Sequence, residues 1–217
     1  MKKGLTELVF ILDKSGSMGG LEKDTIGGYN SMLAKQKAVA GEALITTVLF
    51  DNHYELLHDQ IDIRAVKPIT EKEYSVGGTT ALLDAIGKTI HKISSVQKNT
   101  AEGYRAEKVI FVVITDGEEN SSREYSPDRV KQMIEQQKTH YAWEFIFLGA
   151  NIDAVETAGQ FGIAPDRAQN YHADSEGIEL NFNVLSEAMA SFRETSAMPN
   201  DWKDRIQKDF QRRGRRR

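Results

Sequence analysis

The sequence predicts an α/β fold, a doubly wound, Rossmann-like sandwich with a mostly parallel central sheet, one antiparallel edge strand and helices on both faces. Apolar runs of strand length alternate with longer segments whose apolar residues recur at helical spacing, which is typical of βαβ units. The strongest runs, residues 8–12 and 109–114, are wholly apolar, as strands covered on both faces should be. A short link between two other strand-like runs indicates a hairpin at one edge.

The first half of the chain predicts a central strand, a helix and this hairpin. After the strand at 8–12, residues 21–40 place apolar side chains near helical spacing, although Gly27-Gly28 weakens the helix prediction. Residues 44–50 and 54–63 are separated by only Asp51-Asn52-His53, a connection of hairpin length. We therefore expect this pair to be antiparallel.

The second half alternates helix and strand. It predicts a helix from Ala81, a strand at 108–115, a helix that begins at Ser126-Pro127 and ends near Lys138, and a strand at 145–148. Beyond Tyr171 we expect a short strand and then a final helix. The apolar residues of that helix are spaced by four, three, four and three: Ile178, Phe182, Leu185, Met189 and Phe192.

The bulk composition fits one domain. A chain of 217 residues with 40% hydrophobic content can bury one core, and we place the domain at residues 1–198. Residues 199–217 form a polar, basic C-terminal tail that ends Arg-Arg-Gly-Arg-Arg-Arg, and we expect this tail to fray or lie free, with Trp202 in contact with solvent. Contact of the arginines with phosphates or acidic surfaces is the alternative.

Composition also excludes several function classes. There is no cysteine, so disulfides, thiolate metal sites and cysteine nucleophiles are absent. A net charge of −4 is mild and gives no reason to expect nucleic-acid binding. No apolar run approaches the roughly 20 residues of a membrane span, and Glu7 interrupts the apolar start that a signal peptide would need. We expect no membrane partner and a cytoplasmic location, and the oligomeric state is left open.

Polar residues directly follow the central strands, where a doubly wound sheet binds its ligand. One strand continues as Asp13-Lys14-Ser15-Gly16-Ser17, which places a carboxylate and two hydroxyls at alternate positions of a turn. Another continues as Thr115-Asp116-Gly117, where glycine allows a sharp turn. The loop Gly77-Gly78-Thr79-Thr80 leads into the next helix and supplies further hydroxyls.

This set of oxygens suits a divalent cation. Mg²⁺ prefers about six hard oxygen ligands, and Mn²⁺ or Ca²⁺ would also accept oxygen donors. Because the hydroxyls are neutral, the aspartates supply at most two negative charges, and the ion remains attractive to another anion. We therefore expect an open coordination position that takes an Asp or Glu carboxylate from a partner protein.

The three motifs together resemble the von Willebrand factor type A (VWA) family, and in particular its bacterial-type stand-alone intracellular members. In that family the metal-ion-dependent adhesion site (MIDAS) is built from Asp-x-Ser-x-Ser, a Gly-Gly-x-Thr loop and Thr-Asp-Gly, and the likeness in element order runs from about Leu5 to Phe192. The resemblance implies the metal ligands Asp13, Ser15, Ser17, Thr80 and Asp116, the two serines directly and the others directly or through water. Family members often read Gly-Thr-Ala-Leu-x-Asp-Ala here, which makes Thr80 the ligand and Thr79 the alternate.

We expect an interaction module rather than an enzyme. A metal-dependent phosphoester hydrolase is one alternative, but a phosphatase with two aspartates one residue apart would need a carboxylate where Ser15 stands, and no phosphate-binding glycine loop appears. A scaffold in which the ion only joins three loops is the other alternative. In adhesive relatives the last helix shifts when the site fills, and residues 178–192 match it, but with no adjoining domain evident we do not expect cell-surface adhesion.

Other polar residues on the same rim have simpler interpretations. Glu118, Glu119 and Asn120 follow Asp116 and are expected to form a solvated acidic loop, with partner selection or a second cation site as the alternative. Asn151 and Asp153 follow another central strand and face the same end, where helix capping is the favoured role and a place at the border of the site is the alternative. The five histidines show neither metal-ligand spacing nor a catalytic order.

Overall fold

Six strands and six α-helices alternate along residues 1–214, the part of the chain that the computed structural model describes. The strands are β1 (Lys2–Asp13), β2 (Ala43–Phe50), β3 (Tyr54–Asp62), β4 (Ala106–Thr115), β5 (Glu144–Gly149) and β6 (Ala168–Asn170). The helices are α1 (Glu22–Ala38), α2 (Leu82–Asn99), α3 (Pro127–Tyr141), α4 (Ala154–Gln160), α5 (Ser175–Thr195) and α6 (Asp204–Gly214).

The strands form one sheet in the order β3-β2-β1-β4-β5-β6. Only β3 runs antiparallel, paired with β2 at the edge, and the other neighbours are parallel. The predicted fold class is therefore confirmed. The chain passes from β1 outward to β2 and later returns to β4 on the other side of β1, so the order of strands switches between β1 and β4.

Two apolar cores lie on opposite faces of the sheet. Successive residues of β1 point alternately to the two sides: Leu8, Phe10 and Leu12 contribute to one core, and Val9 and Ile11 to the other. Helices α1, α5 and α6 cover the first face, whereas α2, α3 and α4 cover the second. This arrangement explains why the sequence of β1 is uniformly apolar instead of alternating.

Helix α1 forms despite its two glycines, because one of them is required by packing. A Cβ atom placed on Gly28 would lie 2.3 Å from Cδ2 of Phe182 on α5, so the glycine permits a close approach of α1 and α5. A Cβ atom on Gly27 would meet nothing within 4 Å. The lower helix propensity is thus offset at Gly28 by contact between two helices.

The C-terminal predictions require correction. The short strand lies before Tyr171 rather than beyond it, and α5 is followed by another helix. Residues 199–214 do not lie free: they pack against α5 and β6, and Trp202 is only 6% exposed, with its indole N–H donated to the carbonyl of Asp166 at 2.8 Å. Residues 215–217, the end of the predicted basic tail, lie outside the described residues.

An apolar repeat in residues 199–214 indicates this packing, but the polar composition of the segment obscured it. Trp202, Ile206 and Phe210 recur every four residues and so share one side of the terminal segment. The ring of Phe210 stacks on His172 with 4.7 Å between centroids, and Arg213 pairs with Asp174 and Asp209. Among residues 1–214, no helix has both the length and the apolar character required to cross a membrane.

Candidate metal centre

The predicted site residues lie at the carboxyl ends of β1 and β4, where the strand order switches. Asp13 is the last residue of β1, and Asp116 directly follows β4. The two strands are hydrogen-bonded neighbours in register, with Leu12 opposite Ile114. The fold thus brings together two carboxylates that are 103 positions apart in the sequence, at the place where a doubly wound sheet binds its ligand.

Asp13 is buried and its carboxylate is held from two sides. Its Oδ1 accepts a hydrogen bond from the backbone N–H of Ser15 at 2.7 Å, and its Oδ2 accepts one from the Thr115 hydroxyl at 2.6 Å. The first bond closes the turn after β1, and the second joins this turn to the end of β4. The orientation of Asp13 is therefore fixed by both strands of the crevice.

The two serines and Asp116 form a continuous chain of oxygens. The hydroxyls of Ser15 and Ser17 lie 3.1 Å apart, and the Ser17 hydroxyl donates to Oδ1 of Asp116 at 2.5 Å. The other oxygen of Asp116, Oδ2, is buried and has no hydrogen-bond partner among the described residues. An unpartnered buried carboxylate oxygen is costly, so this atom marks a position that suits a cation.

The third loop joins the same cluster through Thr80. Gly16 N–H donates to the Gly78 carbonyl at 3.1 Å, and Gly77 N–H donates to the carbonyl of Lys14 at 2.9 Å, so the first and third loops are tied by backbone bonds. A Cβ atom on Gly117 would lie 3.2 Å from the Ser17 hydroxyl and 3.5 Å from the Thr80 hydroxyl, which places both hydroxyls beside the Thr115-Asp116-Gly117 turn. Thr80 is buried, whereas Thr79 is exposed.

Burial raises the pKa of both carboxyl groups above the ordinary value. For Asp13, loss of hydration outweighs the hydrogen bonds from Thr115 and Ser15, which lower the pKa. For Asp116, burial is again the largest cause, and the negative charge of Asp13 adds to it. Without a cation the two negative charges are therefore poorly stabilised. A bound divalent ion would stabilise the charged forms and so lower the pKa of both groups.

The centre consists mainly of hydroxyls. Within residues 1–214 there is no group of three or more His, Cys, Asp or Glu side chains that could hold a metal. The predicted site is not such a group, because only two of its five residues are carboxylates. Neutral hydroxyls and two aspartates are hard oxygen donors, so the residues present fit Mg²⁺ or Mn²⁺ better than a soft metal. The structure brings the five predicted residues together, and their role as ligands stays a prediction.

Several supporting residues were missed by the sequence analysis. The Tyr74 hydroxyl donates to the carbonyl of Asp13, and the Tyr171 hydroxyl donates to the carbonyl of Thr115 at 3.3 Å. The side-chain amide of Asn151 donates to the carbonyl of Asp116 at 3.3 Å, from a residue with a φ of 56°. Asn151 had a local signal, its place directly after a central strand, whereas the contacts of Tyr74 and Tyr171 depend on tertiary structure alone.

The loop after Asp116 is more ordered than predicted. Glu119 accepts hydrogen bonds from the backbone N–H groups of Leu83, Ser121 and Ser122, and Asn120 exchanges two hydrogen bonds with the backbone of Thr80. Glu119 is half-buried, so the expected solvated acidic loop is wrong for that residue, whereas Asn120 is exposed as expected although its side chain bonds to Thr80, just before the start of α2. Glu118 is exposed, as expected. Asp153 caps α4, which confirms the favoured interpretation for that residue, but Asn151 does not cap the helix and instead borders the site through its bond to Asp116.

Solved structures with this fold include VWA domains. A von Willebrand factor type A protein from Catenulispora acidiphila matches with a TM-score of 0.60 and 14% identity over 86% of this chain and 43% of that one. The ArnB paralog VWA2 from Sulfolobus acidocaldarius matches with a TM-score of 0.54 and 19% identity over 84% of this chain and 44% of that one.

The manganese-loaded TRAP protein from Plasmodium vivax matches with a TM-score of 0.58 and 18% identity over 84% of this chain and 74% of that one. This chain spans less than half of the Catenulispora and Sulfolobus structures. No known family profile and no curated protein matches the sequence. The likeness to these structures shows that the chain has the fold of von Willebrand factor type A domains.

Proposed function

We propose that the chain is a protein-interaction module that binds a partner through one divalent cation. Asp13, Ser15, Ser17, Thr80 and Asp116 would hold the ion, with Mg²⁺ the first choice. The observation that carries the proposal is Oδ2 of Asp116, a buried carboxylate oxygen without a partner beside the hydroxyls of Ser15 and Ser17. The membership of the chain in the VWA family is part of this proposal, and the cytoplasmic location stays a prediction.

The charge balance indicates the kind of partner. When bound, the ion would supply two positive charges and an affinity for a further anionic oxygen. The chain's own contribution is to hold two carboxylates and the hydroxyls in fixed positions through the backbone and side-chain bonds of three loops. Because the three hydroxyls are neutral, the two carboxylates of the site would only balance the charge of the ion, and an Asp or Glu side chain of the partner would leave a net charge of only −1.

A metal-dependent capture experiment tests the proposal. Immobilised protein is exposed to cell extract in Mg²⁺, washed, and eluted with EDTA, in parallel with an Asp116→Asn and a Glu118→Gln variant. We expect the wild type and Glu118→Gln to retain a protein that EDTA releases, and Asp116→Asn to retain none. Glu118 is the matched control because it is an exposed acid on the same rim, two positions from Asp116.

The captured protein must then bind in purified form and lose binding when one of its own exposed Asp or Glu residues is replaced. Equal affinity in Mg²⁺ and in EDTA would contradict the proposal. Two other outcomes favour the alternatives. Mg²⁺-dependent turnover of phosphoesters that disappears in Asp116→Asn would indicate a hydrolase. A large Mg²⁺-dependent rise in melting temperature without any metal-dependent partner would indicate a scaffold.

A further inference from the structure

A small, mostly apolar cavity borders the candidate metal centre, between the sheet, α1 and α5. Its volume is about 10 Å³, and Asp13 forms part of its wall. Most of the remaining wall is apolar and comes from β1, β4 and α5, but Thr25 of α1 and Asn181 of α5 also line it. The wall is therefore mainly apolar, with polar groups at Asp13, Thr25 and Asn181, and Asp13 is a predicted metal ligand.

Two polar side chains of this cavity, Thr25 and Asn181, lack protein partners among the described residues. The Thr25 hydroxyl and both the Oδ1 and Nδ2 atoms of Asn181 are buried and make no hydrogen bond within residues 1–214. Tyr74 lies close enough to Thr25 for the threonine to lower the tyrosine's pKa, but their geometry does not make a hydrogen bond. Buried polar groups are nearly always satisfied, by water where protein offers nothing.

The volume matches one water molecule. A water needs about 10–15 Å³ of such space and two to four polar neighbours, and the cavity offers about 10 Å³ with Asp13, Thr25 and Asn181 around it. A water molecule has two donors and two acceptors. These groups match the hydrogen-bonding capacity of a hydroxyl, an amide and a carboxylate, the polar groups that Thr25, Asn181 and Asp13 carry.

We propose that this cavity binds one structural water molecule, through which Thr25 and Asn181 act as positioning residues for Asp13. Asp13 already receives bonds from Ser15 and Thr115 on the side of the loops. The water would support the same carboxylate from the side of the helices, so that α1 and α5 both contribute to its orientation. Partners that orient a ligand in this way affect metal affinity although they do not touch the metal.

The part of this inference that concerns metal affinity depends on the proposed function, whereas the water itself does not. The direct test is a high-resolution crystal structure of the wild-type protein. We expect one ordered water within hydrogen-bond distance of Thr25 Oγ1 and Asn181. A dry cavity, or an Asn181 amide turned to a protein partner, would overturn the proposal. This result stands even if the protein binds no Mg²⁺, so a failure of the water proposal can be distinguished from a failure of the proposed function.

The second test measures Mg²⁺ affinity by calorimetry in three threonine variants. Thr25→Val keeps the shape but removes the hydroxyl and should raise the Kd for Mg²⁺ by about tenfold. Thr25→Ser keeps the hydroxyl and should bind as the wild type does. Thr89→Val is the matched control, since Thr89 is a buried helix threonine that donates to its own helix at the Ala85 carbonyl.

Asn181→Leu fills the cavity and should raise the Kd as Thr25→Val does, with circular dichroism to verify folding. A Kd in Thr25→Val and Asn181→Leu equal to that of the wild type would contradict the positioning role. A Kd raised equally in Thr25→Val and Thr89→Val would also contradict it, because the loss would then be a general effect of altering a buried threonine. Recovery of wild-type affinity in Thr25→Ser would support it.

Discussion

At the scale of single residues, the molecule contains buried carboxylates in two different settings. Asp13 and Asp116 lie at the carboxyl end of the sheet, where a cation would stabilise them. Glu7 of β1 is fully buried toward the other end and accepts hydrogen bonds from Gln60 at 2.9 Å and Gln97 at 3.0 Å. These donors are neutral, and burial raises the pKa of Glu7 despite them.

Glu7→Gln should make the protein more stable at neutral pH. A carboxyl with a raised folded-state pKa binds protons more tightly when folded, so stability falls as the pH rises from about 4.5 through that higher pKa. Removing the charge should raise the free energy of unfolding at pH 7 and flatten this decline. Urea unfolding at several pH values measures both the free energy of unfolding at pH 7 and its decline with pH. Glu179→Gln, an exposed change on α5, is the control and should change neither quantity.

At the scale of elements, packing between α1 and α5 and the docking of α6 complete the face of the sheet below the site. Sequence periodicity predicted α1 and α5, because each carries an apolar stripe of helical spacing. It did not show that Gly28 is the point of closest approach, since that depends on Phe182, which is 154 positions away. Sequence periodicity also did not predict that the terminal segment packs on the domain, because its three apolar residues are separated by charged ones.

The neighbouring glycines of α1 should respond in opposite directions to alanine. Gly28→Ala places a Cβ atom 2.3 Å from the Phe182 ring and should destabilise the protein by about 1–3 kcal/mol. Gly27→Ala meets nothing within 4 Å and should stabilise the helix by roughly 0.5–1 kcal/mol. Chemical unfolding of the two variants measures the change in the free energy of unfolding for each. Equal effects would show that α1 and α5 do not approach closely at Gly28.

The docking of the C-terminal segment predicts a large effect at Trp202. Trp202→Ala removes a buried indole and its hydrogen bond to Asp166, and should cost about 3 kcal/mol in the free energy of unfolding. Tyr141→Ala is the control, because Tyr141 is 60% exposed and its loss should change stability by less than about 0.5 kcal/mol. If Trp202→Ala were as mild as the control, residues 199–214 would be the free tail that composition suggested.

At the scale of the whole molecule, the sequence predicted the architecture and the position of the site for physical reasons. Uniformly apolar strands require a sheet covered on both faces, and aspartates after two such strands must meet at one edge when the strands are parallel neighbours. The supporting contacts of Tyr74 and Tyr171 could not be predicted, because hydrogen bonds to distant backbone carbonyls have no sequence pattern, whereas the place of Asn151 beside the site followed from its position after a central strand. The buried cavity at Asn181 is likewise a product of packing.

The proposed function requires that one divalent ion is held by five residues: Asp13, Ser15, Ser17, Thr80 and Asp116. Calorimetric titration of Mg²⁺ into EDTA-treated and then desalted protein measures this binding, with Asp116→Asn and Glu118→Gln measured alongside. We expect one ion per chain for the wild type and for Glu118→Gln, and a loss of affinity on the order of 100-fold or more for Asp116→Asn, which removes one of the two charges. No binding by the wild type, or equal binding by Asp116→Asn, would contradict it.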